Sequence, residues 1–486
     1  MKPSVAAAVL AAAAARSAAA APAADRVLSL PGFGAPLSPL YSGYLAAGPG
    51  QRLHYVYSAA INADPASAPL VLWSNGGPGC SSMEGAFTES GPYHVQQFSS
   101  PPVLALNPWT WNNLTSNLFI ESPAGVGFSY CETPAGCDHT DSSTAANSLL
   151  ALRSFFAAFP ELQRNDFWLT GESYAGIYIP MLAAAVYHYN QGAPAAPINL
   201  KGVMVGNGCI GNEAGHCGSD PLNDLHDVQT FRGHGLISDK LFAAIMQDCN
   251  FSKPSLVCDA LLADAELQTL GLDIYDLYNE CPDPAMPRRL RAPVGKRSML
   301  GRRRARLQAS ADVAATTSTA VVAPLAAAGS DPDPECFGSG PTLEAWANEP
   351  AVKAALHVAP AIDFALCSNN GTFSYNGDMD DERKVIYPTL VLQAGYRVVI
   401  YNGEADLCVP FTDNEYWTSS MGYAEVDGWG PWSVNGAHGS FVGGYRVNYE
   451  HNFSFVTVRG GGHMVPSTRA EAALELFQRG VLGKGF

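Results

Sequence analysis

The chain has 486 residues with 28 Lys+Arg against 44 Asp+Glu, a net charge of −16, 47% hydrophobic residues and only 15% charged residues. That apolar content is enough for a large core and excludes wholesale disorder. The acidic balance excludes a general nucleic-acid binder, which needs basic surface to displace counterions, and beyond the N-terminal leader no stretch is apolar enough to span a bilayer.

The N-terminus carries Met1 and Lys2, then an Ala/Val/Leu run from Val5 to Ala15, with small residues around Ala21-Pro22-Ala23. This predicts a secretory signal over 1–23, with an organellar transit peptide as the alternative. Eleven cysteines in a secreted chain predict disulfides. Four sequons, at Asn113, Asn250, Asn370 and Asn452, predict glycosylation along the same route.

Strands are expected over 51–60, 69–73, 117–121, 166–170 and 200–205, and helices near 143–158, 177–189 and 238–248. Strands alternating with helices predict an α/β fold with a mostly parallel central sheet. The pattern breaks between 213 and 340, where the chain turns polar and helical. Within that insertion, 282–335 reads as an exposed linker. It holds nine Lys/Arg and no acid from Pro287 to Arg306, then a low-complexity Ala/Thr/Val/Ser run from Ala309 to Ala328. After 341 the alternation resumes, with a short helix over 352–357, strands over 397–401 and 453–459, and a last helix over 470–479.

Functional groups in open α/β sheets collect beyond the carboxyl ends of strands. Ser173, Asp406 and His463 occupy such positions. Ser173 follows a strand and opens a helix in Gly171-Glu172-Ser173-Tyr174-Ala175-Gly176. That is the setting of a nucleophile elbow, although the G-x-S-x-G pattern is met only imperfectly. His438 also lies among glycines, so the residues alone leave the choice between His463 and His438 open. Asp406 could orient the imidazole, and the order Ser, Asp, His is that of α/β-hydrolases. Asn75-Gly76-Gly77-Pro78-Gly79 is a Gly-rich loop able to bring backbone N–H groups to a reacting oxygen. No cluster has convincing metal spacing, and no cofactor is expected.

Four motifs together resemble the serine carboxypeptidases. They are Trp73–Ser82 (WSNGGPGCSS), Glu121–Tyr130 (ESPAGVGFSY), Gly171–Gly176 (GESYAG) and Gly462–Pro466 (GHMVP). The resemblance runs from about residue 35 to the C-terminus except for the linker. It implies an α/β-hydrolase fold over 24–212 and 341–486, with a helical cap insertion over 213–340. It implies release of C-terminal residues from peptides and proteins, usually at acid pH, in vacuoles, lysosomes or outside the cell. Ser173 becomes the nucleophile, His463 the base and Asp406 its partner. Gly77 and Tyr174 fall at the oxyanion positions, and Asn75, Gly76, Glu89 and Glu172 at those that hold the substrate carboxylate. Family position implies Cys80–Cys367 and Cys281–Cys336, the latter tying the ends of a linker whose excision is left open. Cys249–Cys258, Cys131–Cys137 and Cys209–Cys217 complete the set by proximity, and Cys408 is left free near Asp406. Ser74, Glu404 and Ile177 depart from the family's commoner residues. The rival is an acyltransferase of the same family using sugar-ester donors, disfavoured by retention of Asn75, Glu89 and Glu172. Partners are peptide or protein C-termini, with no nucleic acid or membrane; oligomeric state is open, a homodimer included.

Overall fold

The computed structural model describes residues 21–96, 101–269, 272–279, 340–368, 373–436 and 439–486. Most of the signal call, the 282–335 linker, the Cys281–Cys336 pair, Asn370 and His438 lie outside them.

In chain order the principal elements are β1 (Leu40–Gly48), β2 (Gln51–Ser58), β3 (Leu70–Ser74), β4 (Ser116–Ile120), α1 (Asp141–Ala158), β5 (Phe167–Glu172), α2 (Ala175–Gln191) and β6 (Leu200–Gly206). The insertion supplies α3 (Asn223–Gly233), α4 (Asp239–Asp248) and α5 (Leu256–Gln268). Then follow β7 (Arg397–Gly403), α6 (Phe411–Ser419), β8 (Glu425–Gly436), β9 (Gly439–Tyr449), β10 (Phe453–Val458) and α7 (Ala470–Val481).

These strands form one twelve-stranded sheet whose main path runs β1-β2-β4-β3-β5-β6-β7-β10-β9-β8, with the two-residue strand Arg26–Val27 beyond β1 and the two-residue strand Tyr130–Cys131 paired with β2. From β4 to β10 every pairing is parallel. Both margins are antiparallel. The sequence expectation of a mostly parallel sheet therefore describes the six central strands, and the whole sheet is mixed. Central strands are continuous apolar runs because helices cover both faces; Leu70, Val71, Leu72 and Trp73 are all buried. One core lies against α1 and α2, the other against α7 and the Trp73–Trp111–Phe477 stack.

Local chemistry sets the helix ends. Thr140 caps α1 through a reciprocal box with Ser143, and Asp141 complements the helix dipole in the first turn. Ser238 and Ser255 cap α4 and α5 by accepting from Leu241 N and Cys258 N. The insertion helices share a small apolar cluster of Val228, Phe231, Leu241, Ile245 and Leu262 that also reaches Leu407. Disulfides join Cys80 to Cys367, Cys131 to Cys137, Cys209 to Cys217 and Cys249 to Cys258.

Candidate active site

Parallel strands place their carboxyl ends on one edge of the sheet. Asn75 follows β3, Ser173 follows β5, Asn207 follows β6, Asp406 follows β7 and His463 follows β10. The chain order of these strands is scattered, yet β3, β5, β6, β7 and β10 are successive neighbours. That topology brings five distant segments to one place.

Ser173 has φ +60°, the left-handed region that costs a non-glycine residue about 1–3 kcal/mol. The surrounding backbone enforces it. Ser173 N–H donates to Gly206 O, and Ser173 O accepts from Cys209 N–H, both at 3.0 Å. The two glycines of the motif allow close crossing. A Cβ at Gly171 would lie 2.6 Å from Ser74 O, and one at Gly176 would lie 2.3 Å from Cys209 O. Gly176→Ala is therefore expected to cost about 1–3 kcal/mol, read as a lowered melting temperature; an unchanged melt would contradict this packing.

Asp406 and His463 are both buried. His463 Nδ1 lies 2.6 Å from Asp406 Oδ2. Ionised Asp406 can only accept, so Nδ1 carries the proton and Nε2 is left with a lone pair. Asp406 is itself held by Asn207 Nδ2 at 2.8 Å, Cys408 N–H at 2.8 Å and Val409 N–H at 3.2 Å. Asn207 also accepts from Gly403 N–H through Oδ1 at 3.1 Å. One asparagine thus locks the loop beside Ser173 to the acid that orients the imidazole. The insertion returns to this point: Tyr275 O accepts from His463 N–H at 2.6 Å, and the Tyr275 ring packs on the imidazole at 5.1 Å. Neither Asn207 nor Tyr275 was singled out from the sequence. Asn207 sat in a visible Gly-Asn-Gly strand end, while Tyr275 carries no local signal.

Next to Ser173, the 75–82 loop folds tightly. A Cβ at Gly76 would lie 2.4 Å from Tyr174 N, and Gly77 holds φ +114°. Among the described residues, no hydrogen-bond acceptor takes up the N–H of Gly77 or Tyr174.

Beneath this loop lies a carboxyl cluster. Asn75 Oδ1 accepts from Trp73 Nε1 at 2.9 Å and Gly85 N–H at 3.1 Å. Those two donors fix the amide orientation. Its Nδ2 then donates to Glu89 Oε1 at 2.8 Å and Glu172 Oε1 at 3.0 Å. Glu89 and Glu172 are buried, and the second oxygen of each has no partner among the described residues. Burial, reinforced by the charge of Glu84, pushes Glu89 up to about 8. Burial, then the charges of Glu89 and Glu84, raises Glu172 well above the carboxylate range. Glu84, partly exposed at the rim, is raised to about 7 by desolvation against the pull of His463. Glu84 is a third carboxyl that the sequence reading missed; an acid in a motif-flanking turn looks like ordinary surface.

Linkage gives a stability prediction. The folded chain holds these protons above the pH where an unfolded glutamate loses them, so stability falls as pH rises from about 4.5 through about 8. Thermal melts should show that decline, and Glu89→Gln should flatten it. A melting temperature that rises over the same interval would contradict it.

The second motif is structural. Glu121 is buried and its carboxylate takes Phe128 N–H at 3.1 Å, His54 Nδ1 at 2.7 Å and the Ser81 hydroxyl. Gly127 admits it, since a Cβ there would overlap Glu121 Oε1. Ser42, His54 and Glu121 form a Ser–His–acid chain, but all three are sealed inside and Ser42 cannot meet a substrate. Cys131, Cys137 and His139 converge like metal ligands, but the two sulfurs are joined in a disulfide.

Comparison with known proteins agrees with this geometry. Residues 31–483 match the family model described as serine carboxypeptidase. Serine carboxypeptidase 1 of Hordeum vulgare is 34% identical over 95% of this chain and 93% of its own length. The lysosomal protective protein of Mus musculus is 33% identical over 94% of each. Serine carboxypeptidase-like 20 of Arabidopsis thaliana is 34% identical over 94% of this chain and 93% of its own length. Among solved structures, Kex1, a prohormone-processing carboxypeptidase from Saccharomyces cerevisiae, superposes with TM-score 0.63 at 20% identity, covering 91% of this chain and 90% of that one. That likeness fixes the fold as an α/β-hydrolase. With a family model spanning almost the whole chain and relatives above 30% identity over nearly all of it, this protein belongs to the serine carboxypeptidase family of hydrolases.

Proposed function

We propose that the chain removes C-terminal residues from peptides and proteins through an acyl-enzyme, most efficiently at acid pH. The observation that carries this reading is the buried Asn75–Glu89–Glu172 cluster beside Ser173, built to hold protons at a pH where ordinary carboxyls have lost them. A protonated carboxyl donates a hydrogen bond to a substrate's terminal carboxylate, together with the Gly76 backbone, while Asn75 holds Glu89 and Glu172 in place.

In this reading Ser173 Oγ attacks the last peptide carbonyl while His463 Nε2 takes its proton. Asp406 stabilises the imidazolium without accepting the proton. The N–H groups of Gly77 and Tyr174, which have no internal acceptor among the described residues, bind the tetrahedral oxygen, each worth about 3–4 kcal/mol. The imidazolium protonates the leaving amine, and water releases the acyl group by the reverse route. Residues 24–212 and 341–486 form the catalytic domain and 213–340 its cap. The 1–23 leader, the sequons and the resemblance to a lysosomal relative support passage through the secretory pathway; no described helix is long and apolar enough to cross a membrane.

The test is incubation with N-blocked dipeptides bearing a free C-terminus, beside a sugar ester with an alcohol acceptor. Release of the terminal amino acid supports the reading. Acyl transfer to the alcohol without such release moves the assignment to acyltransferase.

A further inference from the structure

Asp141 opens α1 and is almost wholly buried. Among the described residues it forms no ion pair with Lys, Arg or His. Its charge is met instead by the α1 N-terminus and five neutral donors. Oδ1 accepts from Tyr174 Oη at 2.9 Å and Tyr375 Oη at 2.8 Å. Oδ2 accepts from Asn212 Nδ2 at 2.9 Å, Asp378 N–H at 2.7 Å and Met379 N–H at 2.8 Å.

Those donors come from three separate parts of the chain, at 174, 212 and 375–379. Tyr174 follows Ser173. Asn212 lies at the start of the insertion, and its amide also donates to Met379 O at 2.9 Å. Tyr375 belongs to a short strand, Ser374–Asn376, which pairs with Asp138–Thr140 just before α1. Asp378 returns a bond by accepting Ser142 N–H at 2.8 Å. The Tyr174 ring is boxed edge-on by Tyr178 at 5.3 Å and Tyr375 at 5.6 Å. Phe373 continues the wall to the 75–82 loop, where a Cβ on Gly79 would meet it at 2.8 Å.

A buried carboxylate without a counter-ion is expensive unless donors converge on it. Here they converge from three segments, one of which carries Tyr174 itself. The strained backbone at Ser173 likewise persists only if its surroundings over-determine it. We propose that Asp141 is a positioning residue for catalysis: it clamps Tyr174 by its hydroxyl and so holds the Tyr174 N–H and the adjoining Ser173 turn in the reactive geometry. The proposal rests on the reading of Tyr174 N–H as an oxyanion donor.

The experiment is a double-mutant cycle of Asp141→Asn and Tyr174→Phe, with Tyr375→Phe as the comparison. Tyr174→Phe keeps the backbone N–H and removes only the clamped hydroxyl. Each of the first two is expected to lower kcat about 10- to 100-fold with KM within about threefold. Together they should lower it no further than Asp141→Asn alone. Tyr375→Phe should lower it less. The second readout is phosphorylation by diisopropyl fluorophosphate, in which the Ser173 Oγ–P bond forms, fluoride leaves and His463 takes the proton; it should slow in step with kcat. An unchanged kcat in Tyr174→Phe, or losses that multiply in the double variant, would overturn the proposal. If Asp141→Asn does not fold, Tyr174→Phe decides through the same two rates. If the wild type releases no C-terminal residue, the functional reading falls, and phosphorylation rates still decide the positioning role.

Discussion

Ser173→Ala is expected to lower kcat for C-terminal release by about a millionfold, to the residual rate that binding and oxyanion donors supply. The loss is that large because, in the proposed mechanism, Ser173, His463 and Asp406 act as a unit. His463 is already locked in one tautomer by Asp406, and Asp406 by Asn207, so nothing else in the cluster can take the nucleophile's place. Fold and binding should survive, since Ser173 contributes its backbone, not its hydroxyl, to the turn. Alanine keeps the left-handed strain at φ +60°. Ser173→Gly should be equally inactive yet melt above Ser173→Ala, because glycine occupies that region without a clashing Cβ. Steady-state rates and thermal melts of the pair check both halves. Residual activity within a hundredfold of wild type would mean that another group performs the attack.

The second large effect is the response of KM to pH. Below the raised value of Glu89, about 8, the carboxyl cluster carries protons and, in the proposed reading, donates to the substrate carboxylate. As pH rises through that value the cluster ionises, and carboxylate faces carboxylate. Such like-charge contacts cost several kcal/mol, so KM for a peptide with a free C-terminus should rise about tenfold or more between pH 5 and pH 9. Glu172→Gln leaves Glu89 as the one carboxyl of the pair that ionises, so its KM should vary less than in wild type, starting from a weaker value at pH 5. The base works in the opposite direction, because His463 must be neutral to accept the proton from Ser173. Substrates without a C-terminal carboxylate escape the cluster and should show a more alkaline profile. Equal pH dependence of KM in wild type and Glu172→Gln would remove Glu172 from the binding role.

Much of this architecture was legible in the chain. The central strands announce themselves as apolar runs ending in Gly or Asn, and the structure puts β3 to β7 and β10 within a few residues of the expected bounds. At the margins only β2 was legible, expected over 51–60 and found over Gln51–Ser58. β1 contains Gly43 and two alanines; Gly43 is required because a Cβ there would strike the Asp25 carboxyl at 2.6 Å, a contact between distant segments. The β8–β9 hairpin carries Pro431, several glycines and register shifts that blur its alternation. At the site, the residues left His463 and His438 as rivals; the structure pairs His463 with Asp406, and His438 lies outside the described residues. Glu84, Asn207, Tyr275 and Asp141 stayed hidden for one reason. Each acts through a partner far away in sequence, and only the sheet topology makes them neighbours.

The most direct measurement compares kcat/KM for one blocked dipeptide as free acid and as C-terminal amide at pH 5 and pH 8. The account predicts strong preference for the free acid at pH 5, reduced at pH 8 as the Glu89 carboxyl begins to ionise. A preference that is absent at pH 5, or the same at both pH values, would contradict it.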